Sequence, residues 1–291
     1  MSVSRPSLGY HILALATILV WGTTFASTKV LLTHGLTPPE IMFYRFIIAY
    51  ALTWLCSRKV WADTWLDELL LAVAGFTGGT LYFLAENTAI DYTITSNVAL
   101  VVCVTPVLTA LLTSIIYRER ITVHLAIGSI VALFGVGFVV LNGAVLQIHP
   151  LGDALALVAA LAWAVYSVVV RRFDGRYTTW FVTRKVFFYG IVTMLPFIAC
   201  GMGGGLHLDR FFIPVVAGNV LFLSVVASML CFYTWNLVLE KLGTIRASNY
   251  MYTQPLVSLA CSVWVLSEPV TLIALLGTVF ILAGIYVAQS R

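Results

Sequence analysis

Ten stretches of this chain are each long and apolar enough to cross a lipid bilayer, and that leaves few folds open. They run at about 9–32, 39–57, 68–90, 94–117 and 121–142, then at about 152–172, 179–200, 212–239, 245–266 and 270–289. A helix needs roughly 20 apolar residues to span the hydrocarbon core. Strands of a membrane barrel would be shorter and would alternate apolar with polar residues, which these stretches do not. Helices of a soluble bundle are excluded by composition. Only 10% of the 291 residues are charged and 61% are hydrophobic, with a mean hydropathy of +1.00. A soluble domain carries roughly a quarter charged residues. The expected fold is therefore an all-α membrane protein of ten transmembrane helices, with the lipid bilayer as its solvent. The first stretch has a short signal-like composition at Ala14-Leu15-Ala16, but it runs on to about Leu32 and reads as a retained helix.

The ten stretches divide into two sets of five. Pro106, Glu119, Gly128 and Gly135 recur as Pro255, Glu268, Gly277 and Gly284, each 149 residues later. Asn87 and Asn236 keep the same offset, as do Phe83 and Phe232. Residues 1–145 and 150–291 thus read as two copies of one unit. Five crossings per copy bring the second copy into the membrane from the opposite side, the inverted repeat on which many secondary transporters are built. Lys and Arg orient the pair. The termini and the loops after segments 2, 4, 6 and 8 hold Arg5, Arg58, Lys59, Arg118, Arg120, Arg171, Arg172, Arg176, Lys241, Arg246 and Arg291, whereas the opposite loops hold only Arg210. By the positive-inside rule both termini are cytoplasmic, and the net charge of +4 reflects topology rather than a nucleic-acid surface. The five cysteines lie in or beside apolar segments without metal-ligand spacing and read as small packing residues.

Trp21-Gly22-Thr23-Thr24-Phe25, Lys29, Pro39-Glu40 and Tyr44-Arg45-Phe46 resemble the EamA-type branch of the drug/metabolite transporter superfamily. Pro106, Glu119-Arg120, Gly128 and Gly135 are similar to the end of that family's repeat. The resemblance spans nearly the whole chain. It implies ten helices in two inverted five-helix repeats, a bacterial inner (plasma) membrane, and small organic solutes as cargo, with many members exporting amino acids or other metabolites. It also implies a central cavity among segments 1–4 and 6–9. The copies are not identical: Trp235 stands where the first half has Glu86, and Pro269 where it has Arg120.

Charges inside the apolar segments need a reason, because an ionised side chain at that depth costs several kcal/mol unless it is paired or hydrated. Lys29, Arg45 and Glu86 all fall in the outer leaflet, with Arg45 about 9 Å along its helix. Glu86 is expected to pair with Arg45 or Lys29 and to serve as a proton carrier or charge partner. A purely structural ion pair, with Lys29 snorkelling, is the simpler alternative. At the inner end Arg171, Arg184 and Lys185 form a cluster with no acid in the position of Glu86, a surface that would attract anionic solutes.

Pro106 and Pro255 fall at matching depth in segments 4 and 9, where loss of a backbone donor kinks or weakens a helix. They are candidate gating hinges, with a static kink as the alternative. Trp21, Tyr82, Trp163, Trp235 and Tyr252 supply flat apolar area, while Asn87 and Asn236 could orient a solute or simply bond between helices. These seven are the candidate substrate-binding residues. Segments 5 and 10 carry no internal charge but hold Gly128, Gly135, Gly137, Gly277 and Gly284, so they are expected to be close-packed scaffold.

The chain reads as a secondary transporter that works by alternating access. One chain already holds both inverted halves, so a monomer suffices. Its partners are a small organic solute and the bilayer, with protons as the coupling ion. No GxxxxGK[ST] loop exists, so neither nucleotide nor another cofactor is expected. Import or exchange of sugars or of phosphorylated, anionic metabolites is the alternative. An intramembrane enzyme would need converging nucleophile, base or metal ligands; the five histidines are scattered over helix ends and loops.

Overall fold

A computed structural model describes residues 8–93, 95–140, 149–200, 206–257, 260 and 271–289. Among these residues all regular structure is helical. The helices are α1 (Leu8–Thr33), α2 (Pro38–Thr53), α3 (Trp65–Tyr92), α4 (Thr95–Val102), α5 (Thr105–Tyr117), α6 (Val123–Val140), α7 (Pro150–Val170), α8 (Thr179–Ala199), α9 (Pro214–Leu242), α10 (Thr244–Asn249) and α11 (Leu272–Gln289). Six spans are long and apolar enough to cross a membrane: α1, α3, Val98–Tyr117, Pro150–Phe173, α8 and α9. Val123–Phe138 and Leu275–Gln289 are shorter apolar helices. Glu268 and Pro269 lie outside the described residues.

The outer surface is what such a composition dictates. Leu8, Ile12, Leu15 and Leu19 form one exposed stripe along α1, and Leu272, Leu275, Leu276, Val279 and Phe280 do the same on α11. Water would not tolerate so much contiguous apolar area on a monomer, whereas acyl chains solvate it.

Small residues set the closest helix approach. A Cβ added to Gly128 would lie 2.5 Å from the Gly284 carbonyl oxygen, and one added to Gly135 would lie 2.6 Å from that of Gly277. The earlier glycine of α6 therefore faces the later glycine of α11, so these two helices run antiparallel. Backbone contact of this kind is what holds membrane helices together when lipid offers no hydrophobic drive.

Two helices widen into π-turns, at Phe76–Leu81 in α3 and Phe222–Leu230 in α9. The second ends 149 residues after the first, so the widening keeps step with the sequence repeat. The first π-turn sits at a close helix approach: a Cβ on Gly78 would lie 2.3 Å from the Tyr166 ring of α7. A π-turn rotates the side chains beyond it around the helix axis, and such turns often occur at functional sites. Here Tyr82, Phe83 and Glu86 lie just beyond the first, and Phe232, Trp235 and Asn236 just beyond the second.

The helix expected over 94–117 is interrupted. α4 stops at Val102 and α5 restarts at Thr105, with Pro106 in the first turn. That is where proline costs least, because the first N–H groups of a helix have no intrahelical partner. The other copy behaves alike: a 3₁₀ turn at Tyr250–Thr253 precedes Pro255, which lies in the next helical stretch. Each proline thus follows an irregular turn within its span.

Candidate functional site

α1, α2, α3, α7, α9 and the stretch after α10 surround a narrow, tightly closed cavity. Trp21, Thr24, Arg45, Tyr82, Phe83 and Glu86 line it from the first half, and Trp163, Phe232, Met251 and Gln254 from the second. Its walls are aromatic rings in mutual contact. Trp21 meets Trp163 edge to face at 5.2 Å between ring centroids, Tyr82 meets Trp163 at 4.8 Å, and Phe232 meets Trp163 at 5.5 Å. The Trp21 indole N–H donates to the Ala227 carbonyl at 2.9 Å, in the widened part of α9. Among the described residues the buried Trp163 indole N–H has no partner.

One carboxyl and one guanidinium enter this aromatic box. The Tyr82 hydroxyl donates to Glu86 Oε1 at 2.5 Å, one helical turn along α3. Arg45 Nε donates to Ser228 Oγ at 2.9 Å, and its guanidinium lies 4.1 Å from the centre of the Phe83 ring. The expected ion pair between Glu86 and Arg45 or Lys29 is not made. Tyr82 occupies Glu86, and Arg45 is held by a hydroxyl and a π face. Lys29 is exposed and donates to the Ile90 carbonyl at 3.1 Å, so it caps the end of α3 outside the cavity.

The remaining expected residues divide. Trp235 is fully buried and packs 5.2 Å from Trp21, behind the cavity wall. Asn236 accepts from the Tyr166 hydroxyl at 2.5 Å and donates to Thr183 Oγ1 at 3.0 Å, bridging α7, α8 and α9. Asn87 makes one long bond of 3.3 Å, to the Pro38 carbonyl, and its side-chain oxygen has no partner. Tyr252 packs with Cys103, Ala132, Val136 and Ile281 in a separate apolar cluster. Pro106 and Pro255 do not line the cavity, although Gln254, next to Pro255, does. Thr24, Phe83, Phe232 and Met251 are wall residues that sequence reasoning does not assign to the site. The 149-residue spacing of Phe83 and Phe232 is the one signal that points to two of them.

Two of the three cations of the inner basic cluster are neutralised by acids that the repeat pattern does not place there. Lys185 pairs with Glu68, which also accepts from the Tyr189 hydroxyl, and Arg171 pairs with Glu119 at 2.5 Å. Arg184 donates to the carbonyls of Ser57 and Lys59 and lies 4.3 Å from the Trp54 ring. Arg176 holds Asp67 with two parallel hydrogen bonds of 2.8 and 2.6 Å. The reason is helix register. α3 begins at Trp65, capped by Thr64, so Asp67 and Glu68 fall in its buried first turn against α8 rather than in a loop. Acids at a helix N-terminus also meet the positive end of the helix dipole. Burial pushes the Tyr177 hydroxyl above the usual phenol range, against the opposing bond from the Asp63 main chain, and it stays a donor to Asp67.

Glu40 and His207 mark the opposite end. Glu40 accepts from the backbone and hydroxyl of Thr37 at 2.9 Å each and from the His207 backbone at 2.6 Å. This capping box starts α2 and ties it to the chain leading into α9.

A helical multi-pass membrane protein whose halves meet around one central aromatic and polar cavity has the architecture of a solute transporter. Residues 8–141 and 150–289 each match the EamA-like transporter family, and the chain belongs to that family. An uncharacterized transporter of Archaeoglobus fulgidus is 28% identical, over 94% of this chain and 96% of that relative. A probable amino-acid metabolite efflux pump of Escherichia coli (strain K12) is 26% identical, over 95% and 93%. A probable terminal-alkyne amino-acid exporter of Streptantibioticus cattleyicolor is 24% identical, over 94% and 91%. A protein of known crystal structure matches with a TM-score of 0.72 at 20% identity, over 98% of this chain and 97% of the other, a likeness of fold alone.

Proposed function

We propose that the protein is a secondary transporter exporting small organic metabolites such as amino acids across the inner (plasma) membrane by alternating access. In this reading ten helices form two inverted repeats, residues 1–145 and 150–291, with both termini cytoplasmic. The antiparallel glycine contacts of α6 and α11 support the inversion, and the distribution of Lys and Arg supports the orientation. A monomer is the working unit.

One observation carries the reading: a cavity in the apolar interior, lined from both halves, with one carboxyl and one guanidinium among aromatic rings. A flat or amphipathic solute would gain area from Trp21, Tyr82 and Trp163, and direction from Arg45, Glu86 and the unpartnered Trp163 N–H. Glu86 would exchange a proton as the cavity changes sides. The breaks before Pro106 and Pro255 would serve as the hinges, because few main-chain bonds resist bending there. The names of the Escherichia coli and Streptantibioticus cattleyicolor relatives support amino-acid-like cargo. Uptake of anionic metabolites through the inner basic cluster is less well supported, since Glu68 and Glu119 neutralise two of its three cations.

Counterflow in proteoliposomes against a mixture of amino acids, with and without a pH gradient, tests the proposal. Glu86→Gln should keep counterflow and lose acceleration by the gradient. An unchanged proton dependence in that variant would end the carrier role of Glu86, and failure of the wild type to exchange any amino acid would end the cargo assignment.

A further inference from the structure

A second and larger space, of about 450 Å³, opens between the two halves at the end that carries the basic loops. Its charged lining is balanced, with Arg120, Arg171 and Arg246 against Glu119, Asp174 and Glu240. Such a wall has no net charge with which to gather simple anions or simple cations. Two of the acids are already engaged: Glu119 with Arg171 at 2.5 Å, and Glu240 with Lys241 at 2.6 Å. Among the described residues Arg120, Arg246 and Asp174 enter no ion pair. Two guanidiniums and one carboxylate therefore face the same space uncommitted.

The vestibule also has a polar floor. Thr244 lines it, yet this residue is 1% exposed and its hydroxyl has no hydrogen-bond partner. Beyond Thr244, the side chains of Ser248 and Asn249 on α10 and of Thr109 and Thr113 on α5 are buried and equally unpartnered. α5 packs on α10, and α10 leads through the 3₁₀ turn to Met251 and Gln254 at the central cavity. Buried polar groups without partners are costly and rare, so each of these side chains calls for a polar partner along the seam.

We propose that this vestibule is a capture site for zwitterionic solutes, with Arg120 and Arg246 taking the carboxylate and Asp174 the ammonium, opening onto the α5–α10 seam toward the central cavity. The proposal rests on the export reading for its direction, inward face to central cavity. A zwitterion satisfies uncommitted charges of both signs at once, which an anion or an amine cannot. Burial and the neighbouring Glu240 carry the Asp174 carboxyl up to about 6, against the opposing pull of Arg171 and Lys241. It is ionised at neutral pH and able to hold an ammonium group.

The test compares three probes of one shape: L-phenylalanine, 3-phenylpropionate and 2-phenylethylamine. Their equilibrium binding is measured on the full-length protein in lipid nanodiscs at about pH 7.5, above the Asp174 transition. The wild type should bind L-phenylalanine about tenfold more tightly than either single-charge probe, as expected for one further hydrogen bond between charged groups. Asp174→Asn should lose the preference over 3-phenylpropionate, and Arg246→Gln the preference over 2-phenylethylamine. Retained binding of the other probe shows that each variant is folded. Trp163→Ala, in the central cavity, should still bind L-phenylalanine while efflux from proteoliposomes stops. Equal binding of the three probes by the wild type, or no binding of L-phenylalanine, would overturn the proposal. So would loss of binding in Trp163→Ala with none in the vestibule variants, because the central cavity would then be the binding site. Binding that depends on Asp174 and Arg246 in a protein that moves no amino acid would leave the capture site standing and remove the export reading.

Discussion

Replacing Asn236 with leucine removes a fully engaged amide, whereas the same change at Asn87 removes a nearly idle one. The two residues occupy equivalent positions in the repeat, so sequence alone predicts equal effects. Asn236 holds the Tyr166 hydroxyl at 2.5 Å and Thr183 Oγ1 at 3.0 Å, both fully buried. Hydrogen bonds between membrane helices average about 0.6 kcal/mol and reach about 1.7 kcal/mol, so two of them are worth roughly 1–3 kcal/mol. Leucine would also leave the Tyr166 hydroxyl unpaired, which favours the upper half of that range. Asn87 has one bond of 3.3 Å and a buried oxygen with no partner. Its loss should cost below about 0.6 kcal/mol, because removing an unsatisfied group offsets the lost bond. Reversible unfolding of both variants in mixed micelles, scored against the wild type, reads the difference. Equal destabilisation, or a larger loss at Asn87, would refute the assignment of Asn236 as a brace of α7, α8 and α9 and return it to the candidates for solute contact.

Gly284→Leu should cost about 1–3 kcal/mol or force α6 and α11 apart, since even its Cβ would lie 2.5 Å from the Ala132 backbone nitrogen; thermal unfolding in nanodiscs checks this. Gly137→Leu, with open space around it, should leave the melting temperature unchanged in the same assay. The raised Asp174 carboxyl favours its neutral form in the folded state, so ionisation destabilises the protein as pH rises from the ordinary carboxylate range through about 6. Asp174→Asn should therefore be the more stable protein at about pH 7 and gain nothing below about pH 4, with the pH series of melting temperatures as the readout. Phe83→Leu should weaken solute-dependent efflux by loosening Arg45 while keeping the fold, because a cation–π contact is lost but the Ser228 bond stays.

Much of the fold was legible because membrane insertion leaves a one-dimensional record. Apolar length marks a span, and the 149-residue echo of Phe83, Asn87, Pro106 and Gly128 marks duplication without any reference to contacts. The cavity was legible in part. Trp21, Arg45, Tyr82, Glu86 and Trp163 could be chosen because polar or broad aromatic side chains deep in a span need a reason, and these five do meet. Rotation about each helix axis was not legible. A π-turn at Phe76–Leu81 re-aims the side chains beyond it, and hydropathy carries no trace of such turns. Tyr252 and Asn236 meet packing contacts, while Phe83, Phe232 and Met251 reach the cavity wall.

The sequence by itself determined the solvent, the helical class and the doubling of the chain, since each depends on how many apolar residues lie in a row and how often a pattern returns. Which charges pair was decided only in three dimensions. Lys185 finds Glu68, Arg171 finds Glu119, and Glu86 finds Tyr82 rather than a cation. A charged group inside a membrane takes whatever partner lies within about 3 Å, and no regularity along the chain encodes distances between helices.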